Sequence, residues 1–362
     1  MQSSRGRIGI IGAGTSGVYL ASLLARQGYQ VDLFERAVQP RTDGCGILLI
    51  ASGLEALQQG NAQLCQQLLE KGTPAQKFEY RNLRGEVAKS EVVTYEVNEL
   101  PAMLIHRKTI LETLFTDLPP DILHLNAELD SVTHADGGAI AHFKDDSVWE
   151  GDLLVGSDGL FSQVRDAVVP HQQVSYLGDV AWRGIVQDDT FCPDGDFILY
   201  MRGRGIYANF FDLGQGLTHW GFFLEKEQVA SEKGTPRPDD TTIPAQELEK
   251  LPADARAVIE GTAPEQIVTN FSYDIDPLPQ LYKGSVVLIG DAAHAKSPSR
   301  ARGMTSGFED ALALTKHLNA SATIEEALAG FQGERMPIVH EYQRSSREVS
   351  RKTGRKSKKA TS

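Results

Sequence analysis

The chain has 362 residues, 41% of them hydrophobic, enough to bury a sizeable core and to divide into two domains rather than one. Its formal net charge of −12 and pI near 5.3 exclude general affinity for nucleic acid. Three cysteines, Cys45, Cys65 and Cys192, lie far apart without metal-ligand spacing, a pattern that suits buried thiols in a reducing cytoplasm. No apolar run reaches membrane-spanning length, and the early first strand is expected to leave no room for a signal peptide.

The stretch Arg7 to Arg36, RIGIIGAGTSGVYLASLLARQGYQVDLFER, opens the chain's organisation. Ile8, Ile10 and Ile11 predict a short buried strand, Gly12, Gly14 and Gly17 form GxGxxG, and Val18, Leu20, Ala21 and Leu24 follow at helical spacing. A second strand, Gln30 to Phe34, ends on Glu35. In such a unit the first glycine permits a tight turn, the second lets the backbone approach a pyrophosphate, and the third lets helix and sheet pack closely. The helix amino end offers unpaired N–H groups to phosphate, and Glu35 can accept from ribose hydroxyls. This unit predicts a dinucleotide site without choosing between NAD and FAD.

Ala37 to Gly46 is a polar loop with a Gly44-Cys45-Gly46 turn, after which Ile47 to Ile50 and a helix over Gly53 to Leu69 return to apolar periodicity. Lys77 to Val97 alternates as short strands and predicts an excursion into another layer. Helical spacing resumes over Leu104 to Leu114, with Arg107 and Lys108 near its start. Paired strands are expected around Leu123 to Val132 and Ala139 to Phe143, about the turn Asp136-Gly137-Gly138. In Gly151 to Val168 a strand at Leu153 to Val155 leads through Gly156 to Gly159 into a helix from Phe161.

Ser175 to Val268 is rich in strands, notably Phe197 to Met201, Ile206 to Asp212 and Thr218 to Leu224. Alternation places Tyr207, Asn209 and Phe211 on one face and Ile206, Ala208 and Phe210 on the other, with Trp220, Phe222 and Leu224 sharing a face of the next strand. The charged stretch Glu225 to Glu249 reads as a surface connection. Gly284 to Leu318 repeats the strand, turn, helix plan: Val286 to Ile289, then Gly290 and Asp291, then a helix opened by Gly303 to Gly307. Arg344 to Lys359 is strongly basic, and its amphipathic start is expected to dock on the first domain.

Three separated strands thus end in glycine turns, and ligands of open parallel sheets bind outside such strand ends. Asp158 and Asp291 are unsuited to phosphate, being anions themselves, and suit cofactor hydroxyls or the turns' own backbone. His294 reads as a hydrogen-bonding strut.

The GAGTSG, GSDGLFSQVR and GDAAHAKSPSRARGMTSGFEDA segments, in this order and spacing, resemble the single-component FAD-dependent aromatic hydroxylases, the group A flavoprotein monooxygenases. Lesser similarities at Trp182-Arg183-Gly184 and in the terminal helix extend the resemblance over nearly the whole chain. It implies an α/β fold: a Rossmann-like FAD-binding domain (1–76, 97–174, 268–343), an inserted mainly β substrate domain (77–96, 175–267) and a basic tail (344–362). It further implies that Gly12, Ala13, Gly14, Ser16, Gly17, Glu35 and Arg36 hold the ADP half of FAD. Arg107 would approach the cofactor from its helix, Asp158-Gly159 would serve both FAD and the passing NADH or NADPH, and Gly290-Asp291 would bind the ribityl chain. Ala301, Arg302, Gly303, Met304 and Thr305 would sit under the pyrophosphate and isoalloxazine.

Where the family usually has a GQGMN-like turn, this chain has Ala301-Arg302-Gly303-Met304-Thr305, which adds a cation and removes a side-chain amide. Phe210, Trp220 and Phe222 are candidate pocket walls, and Arg204 a candidate for orienting an anionic substrate. The implied chemistry is hydroxylation of a small aromatic or heteroaromatic ring with NAD(P)H and O2, through a flavin C4a-hydroperoxide. A related halogenase is disfavoured by the lack of a GWxWxIP segment. A reductase acting on double bonds would share the same FAD fold, and a non-catalytic flavin-binding partner or sensor would suit the altered turn. The quaternary state is expected to be monomer or homodimer.

Overall fold

The computed structural model describes residues 6–40, 44–203, 205–226 and 242–352. A six-stranded sheet carries the strand order Tyr282–Lys283, Val286–Leu288, Leu153–Gly156, Arg7–Ile11, Gln30–Phe34, Leu123–His124, parallel throughout except at the Tyr282–Lys283 edge. Ile10 pairs with both Val155 and Leu33, and all three are fully buried. Their apolar character on both faces follows from cover on both sides. The helices Thr15–Arg26 and Gly303–Ala320 pack together on one face. On the other lies a three-stranded sheet, Leu129–Ala135, Gly138–Phe143 and Val148–Gly151, whose Trp149 ring fills the space beside Gly9.

A seven-stranded sheet carries the order Val268–Ile275, Val174–Gln187, Leu217–Glu225, Gly205–Asp212, Asp196–Arg202, Lys77–Arg81, Val87–Val92. The excursion at Lys77 is therefore two strands added to a sheet built otherwise from strands that begin at Val174 or later. One face of this sheet packs its aromatics against Ala255, Val258 and Ile259 of the helix Ala253–Glu260. The other faces the six-stranded sheet's strand ends across a cavity.

Several elements differ from the sequence expectation for identifiable reasons. The helix over 53–69 is two, Ala51–Gly60 and Ala62–Lys71, because Asn61 is extended at φ −156° and caps the second helix by accepting from the Leu64 N–H at 3.2 Å. Leu104 to His106 belong to a strand, Met103–His106, paired with Gly46–Leu49, so the next helix starts at Arg107. Leu123–His124 joins the parallel sheet on its own, leaving Leu129–Ala135 to pair with Gly138–Phe143 about a turn where Gly137 has φ +76°. The helix expected from Phe161 starts at Val164. Tyr207 does not share a face with Asn209: a bulge pairs Tyr200 with Ala208 and Met201 with Ile206, and Tyr207 turns into the core with Phe210. The terminal helix, Ile324–Ser350, opens with a Thr323/Glu326 capping box and docks through Arg347 on Asp274 and Asp276. The tail beyond Lys352 lies outside the described residues, as does most of the Glu225 to Glu249 connection.

Asn61 also donates from Nδ2 to Asp117 at 2.9 Å. The Asn61→Ala variant is expected to lose about 1–2 kcal/mol of stability, read as a lower urea midpoint at unchanged m-value.

Candidate active site

The three glycine turns are stitched to one another by close approach. A Cβ on Gly12, whose φ is +102°, would stand 2.6 Å from the Ser157 carbonyl oxygen, and one on Gly17 would stand 2.1 Å from the Gly12 carbonyl. Ser157 donates its N–H to the Ile11 carbonyl at 2.8 Å, and its Oγ hydrogen bonds to the Gly12 carbonyl at 2.8 Å. The Ser16 hydroxyl fills the space that side chains on Gly290 and Gly307 would need. Buried Arg165 joins the second turn to the third, donating to the Leu160 carbonyl at 2.6 Å and the Ala292 carbonyl at 3.0 Å.

Gly14, Gly159 and Asp291 consequently line one cavity of about 810 Å³. Ser16, Arg107, Ala301, Gly303 and Met304 line it too. At Gly14 and at Gly159 (φ +80°) a Cβ would meet no atom, so the cavity reaches the backbone there. The helix Thr15–Arg26 starts at this point without a side-chain cap, leaving its first N–H groups directed at the cavity.

Other predicted site residues stand behind this lining. Glu35 spans the turn's far side, accepting from the Ala13 N–H at 3.0 Å and the Ala37 N–H at 2.9 Å, and Arg36 is exposed beside it. Asp158 turns its carboxylate away from the lining to accept from Ser162 Oγ, the Gln163 N–H and the Val164 N–H, so its side chain organises the turn. The Gly290 N–H donates to Asp310 at 2.9 Å.

Two expectations for the altered turn are corrected. Arg302 adds no cation to the cavity: Nη1 donates to Ser52 Oγ at 3.2 Å and Tyr342 Oη at 3.3 Å, and the guanidinium lies 4.6 Å from the Tyr342 ring centroid. Thr305 is fully buried behind the lining against Gly53. Ala301 holds the turn with a left-handed φ of +53°.

The candidate walls Phe210, Trp220 and Phe222 are also corrected. All three are fully buried in the second core, and Trp220 Nε1 donates to Thr262 Oγ1 at 2.7 Å. The opposite face meets the cavity, because the helix Ala253–Glu260 occupies theirs. Arg204 lies outside the described residues.

On that opposite face Phe78, Phe197, Phe211 and His219 sit in register across four strands. Successive ring centroids are 5.3, 4.8 and 4.3 Å apart, with planes inclined by 26°, 19° and 40°, forming one aromatic wall. His219 Nδ1 accepts from the Gly46 N–H at 3.1 Å. Burial first, and the nearby Arg183 second, push its imidazole well below the usual value, so the ring is neutral and carries its hydrogen on Nε2. In the next row Arg183 and Asn209 flank Gly221, and the space a side chain there would need is filled by the Asn209 Oδ1 and the Phe223 ring. The Asn209 Oδ1 is buried and has no partner among the described residues. A histidine and an asparagine alternating within apolar strands were the available sequence signal for this wall.

His294 is the strut expected of it, fully buried with Nε2 2.5 Å from Asp310 Oδ2.

The sequence profile of the family described as "FAD binding domain" matches residues 6–346. The chain belongs to this family. It is 29% identical to the aurachin C monooxygenase/isomerase of Stigmatella aurantiaca over 92% of this chain and 86% of that one. It is 28% identical to the salicylate hydroxylase of Pseudomonas putida, over 95% and 85%. Among solved structures, that of Klebsiella pneumoniae HpxO complexed with FAD and uric acid superposes with a TM-score of 0.84 at 21% identity, covering 95% of this chain and 87% of that one. The protein is thus an FAD-dependent flavoprotein monooxygenase of the aromatic hydroxylase type, with the α/β architecture expected from its motifs. No helix among the described residues is long and apolar enough to cross a membrane.

Paired glycine variants separate packing from binding. Gly14→Ala is expected to melt like the parent yet lose about tenfold or more in FAD affinity, a change of about 1.4 kcal/mol, measured by flavin fluorescence. Gly17→Ala, forced against the Gly12 carbonyl, is expected to lower the melting temperature itself.

Proposed function

We propose that FAD lies along the three turns and that the aromatic substrate stacks on the facing sheet. Gly12, Ala13, Gly14, Ser16 and Gly17 hold its diphosphate at the helix amino end, with Glu35 and Arg36 toward the adenosine ribose. Arg107, Gly159 and Asp291 line its path, while Asp158 and Gly290 shape the turns. The Ala301 to Thr305 turn contributes through Ala301, Gly303 and Met304, and Arg302 and Thr305 only support it. The open space at Gly14 and Gly159, in front of unpaired helix N–H groups, is what fits the group: an anion there meets aligned dipoles and no side chain. Asp291, exposed on the cavity wall, suits hydroxyl donors.

Bound FAD, once reduced by NADH or NADPH, supplies the means of inserting one atom of O2 into an electron-rich ring. The chain's part is placement. The wall from Phe78 to His219 sets the plane of a flat substrate, and the His219 Nε2–H donates to a ring oxygen. Apolar neighbours such as Leu199, Ile206 and Phe223 keep water away from the reacting atoms. Cofactor and substrate domains then divide the chain at 1–76, 97–174 and 268–343 against 77–96 and 175–267, a reading supported by the sheet each strand joins except at Val268–Ile275, which pairs with Val174–Gln187 in the seven-stranded sheet and moves that boundary past Ile275. A cytoplasmic setting, where NAD(P)H is at hand, is supported by the three free thiols; the quaternary state is taken as monomer or homodimer.

The observation that carries this reading is one cavity with polar glycine turns on one side and an aromatic sheet face on the other. Purified FAD-loaded protein is expected to oxidise NAD(P)H faster when phenols, indoles or heteroaromatic acids are added, and to place labelled oxygen from O2 in the product. A panel that stimulates neither would overturn it. Within an active pair, His219→Phe is expected to raise KM about tenfold, the cost of leaving a buried polar partner unpaired, without changing FAD content.

A further inference from the structure

The third turn holds a buried cation that has no part in the proposed placement of FAD and substrate. Lys296 is 8% exposed and lines the cavity. Its Nζ donates to His294 Nδ1 at 2.8 Å, since His294 Nε2–H is committed to Asp310 Oδ2. An ammonium has three N–H bonds, and among the described residues the other two find no acceptor.

The surrounding charges are already matched. Asp310 accepts from Arg335 Nε at 2.8 Å and from the Gly290 N–H, and Arg335 Nη2 donates to Glu309 at 2.7 Å. No carboxylate among the described residues lies within 4.0 Å of Lys296 Nζ, although Asp291, Asp310 and Glu309 attract it from farther away while Arg335 repels it. Burial pulls the ammonium down to about 8, against those carboxylates, so it is charged below about pH 8. A desolvated cation with unused donors is costly unless something else in its cavity completes it.

We propose that Lys296 completes its hydrogen bonding on the bound flavin and pairs with the negative charge the ring acquires on reduction. This rests on the reading that FAD fills the cavity. The charge balance is simple: a hydride leaves NAD(P)H, which departs as NAD(P)⁺, and the two electrons and one proton leave the flavin one unit more negative. A fixed ammonium at the wall favours that state over the oxidised one, and the His294–Asp310–Arg335 chain holds the ammonium in place. Lys296 is thereby a redox-positioning residue at the place where Arg302 was expected to supply a cation.

The test is a redox titration of FAD-loaded protein at pH 7, comparing the parent with Lys296→Met and Lys296→Arg. Lys296→Met is expected to lower the two-electron midpoint potential by about 30 mV or more, which is a tenfold change in the reduction equilibrium, and to weaken sulfite addition to the oxidised flavin by about the same factor. Lys296→Arg is expected to restore both. Should the methionine variant fold poorly, Lys296→Gln, neutral but still able to donate to His294, is expected to show the same shifts. Unchanged potential and sulfite affinity in the neutral variants would overturn the proposal, as would a loss confined to FAD affinity or melting temperature, which would mark a phosphate contact or a packing role. A chain that takes up no FAD would instead sink the assignment of the cavity to FAD, a result distinct from an unmoved potential.

Discussion

The site depends on how closely three backbone turns approach one another. Gly12, Gly17, Gly290 and Gly307 each lack a Cβ at a point where a carbonyl or hydroxyl of the clustered turns already stands. Steric exclusion makes this contact intolerant of any side chain, and it brings together turns from the start, middle and last third of the chain. Ser157 and Arg165 then satisfy polar groups that such crowding buries. The cavity is the space left outside these packed strand ends.

Its two walls have different physics. The turns offer backbone dipoles and unpaired N–H groups, favourable to an anionic cofactor and indifferent to its sequence context. The sheet face offers polarisable rings and a few polar atoms in a low-dielectric setting, where one unpaired hydrogen bond discriminates strongly between ligands. A neutral His219 belongs in such a place. Its Nδ1 is held by the Gly46 backbone, so its single remaining donor points in one chemical direction.

The terminal helix Ile324–Ser350 fixes the third turn from behind. Arg335 reaches Asp310, Tyr342 receives Arg302, and Gln343 Nε2 donates to the Ile275 and Ala295 carbonyls at 3.1 and 3.3 Å. Arg347, whose guanidinium is raised above its ordinary value by the Asp274 and Asp276 carboxylates, closes the far end. The segment from Ala295 to Arg302, which leads into the altered Ala301 to Thr305 turn, is therefore braced from behind by the terminal helix.

From sequence alone, local spacing sufficed for the glycine turns, the strands that precede them and the helices at Thr15 and Gly303, because close backbone approach and helical periodicity are written in adjacent residues. Order and spacing of the three motifs also sufficed for the family and for FAD. Tertiary structure alone decided which sheet face meets the cavity: alternation defines two faces equally well, and only the helix Ala253–Glu260, packed on Phe210, Trp220 and Phe222, leaves Phe211, His219 and Asn209 to the ligand side. It also decided where side chains on the third turn point. Arg302 and Lys296 are both cations in the same loop, and Tyr342 and Ser52 hold the first outside the cavity while His294 holds the second at its wall.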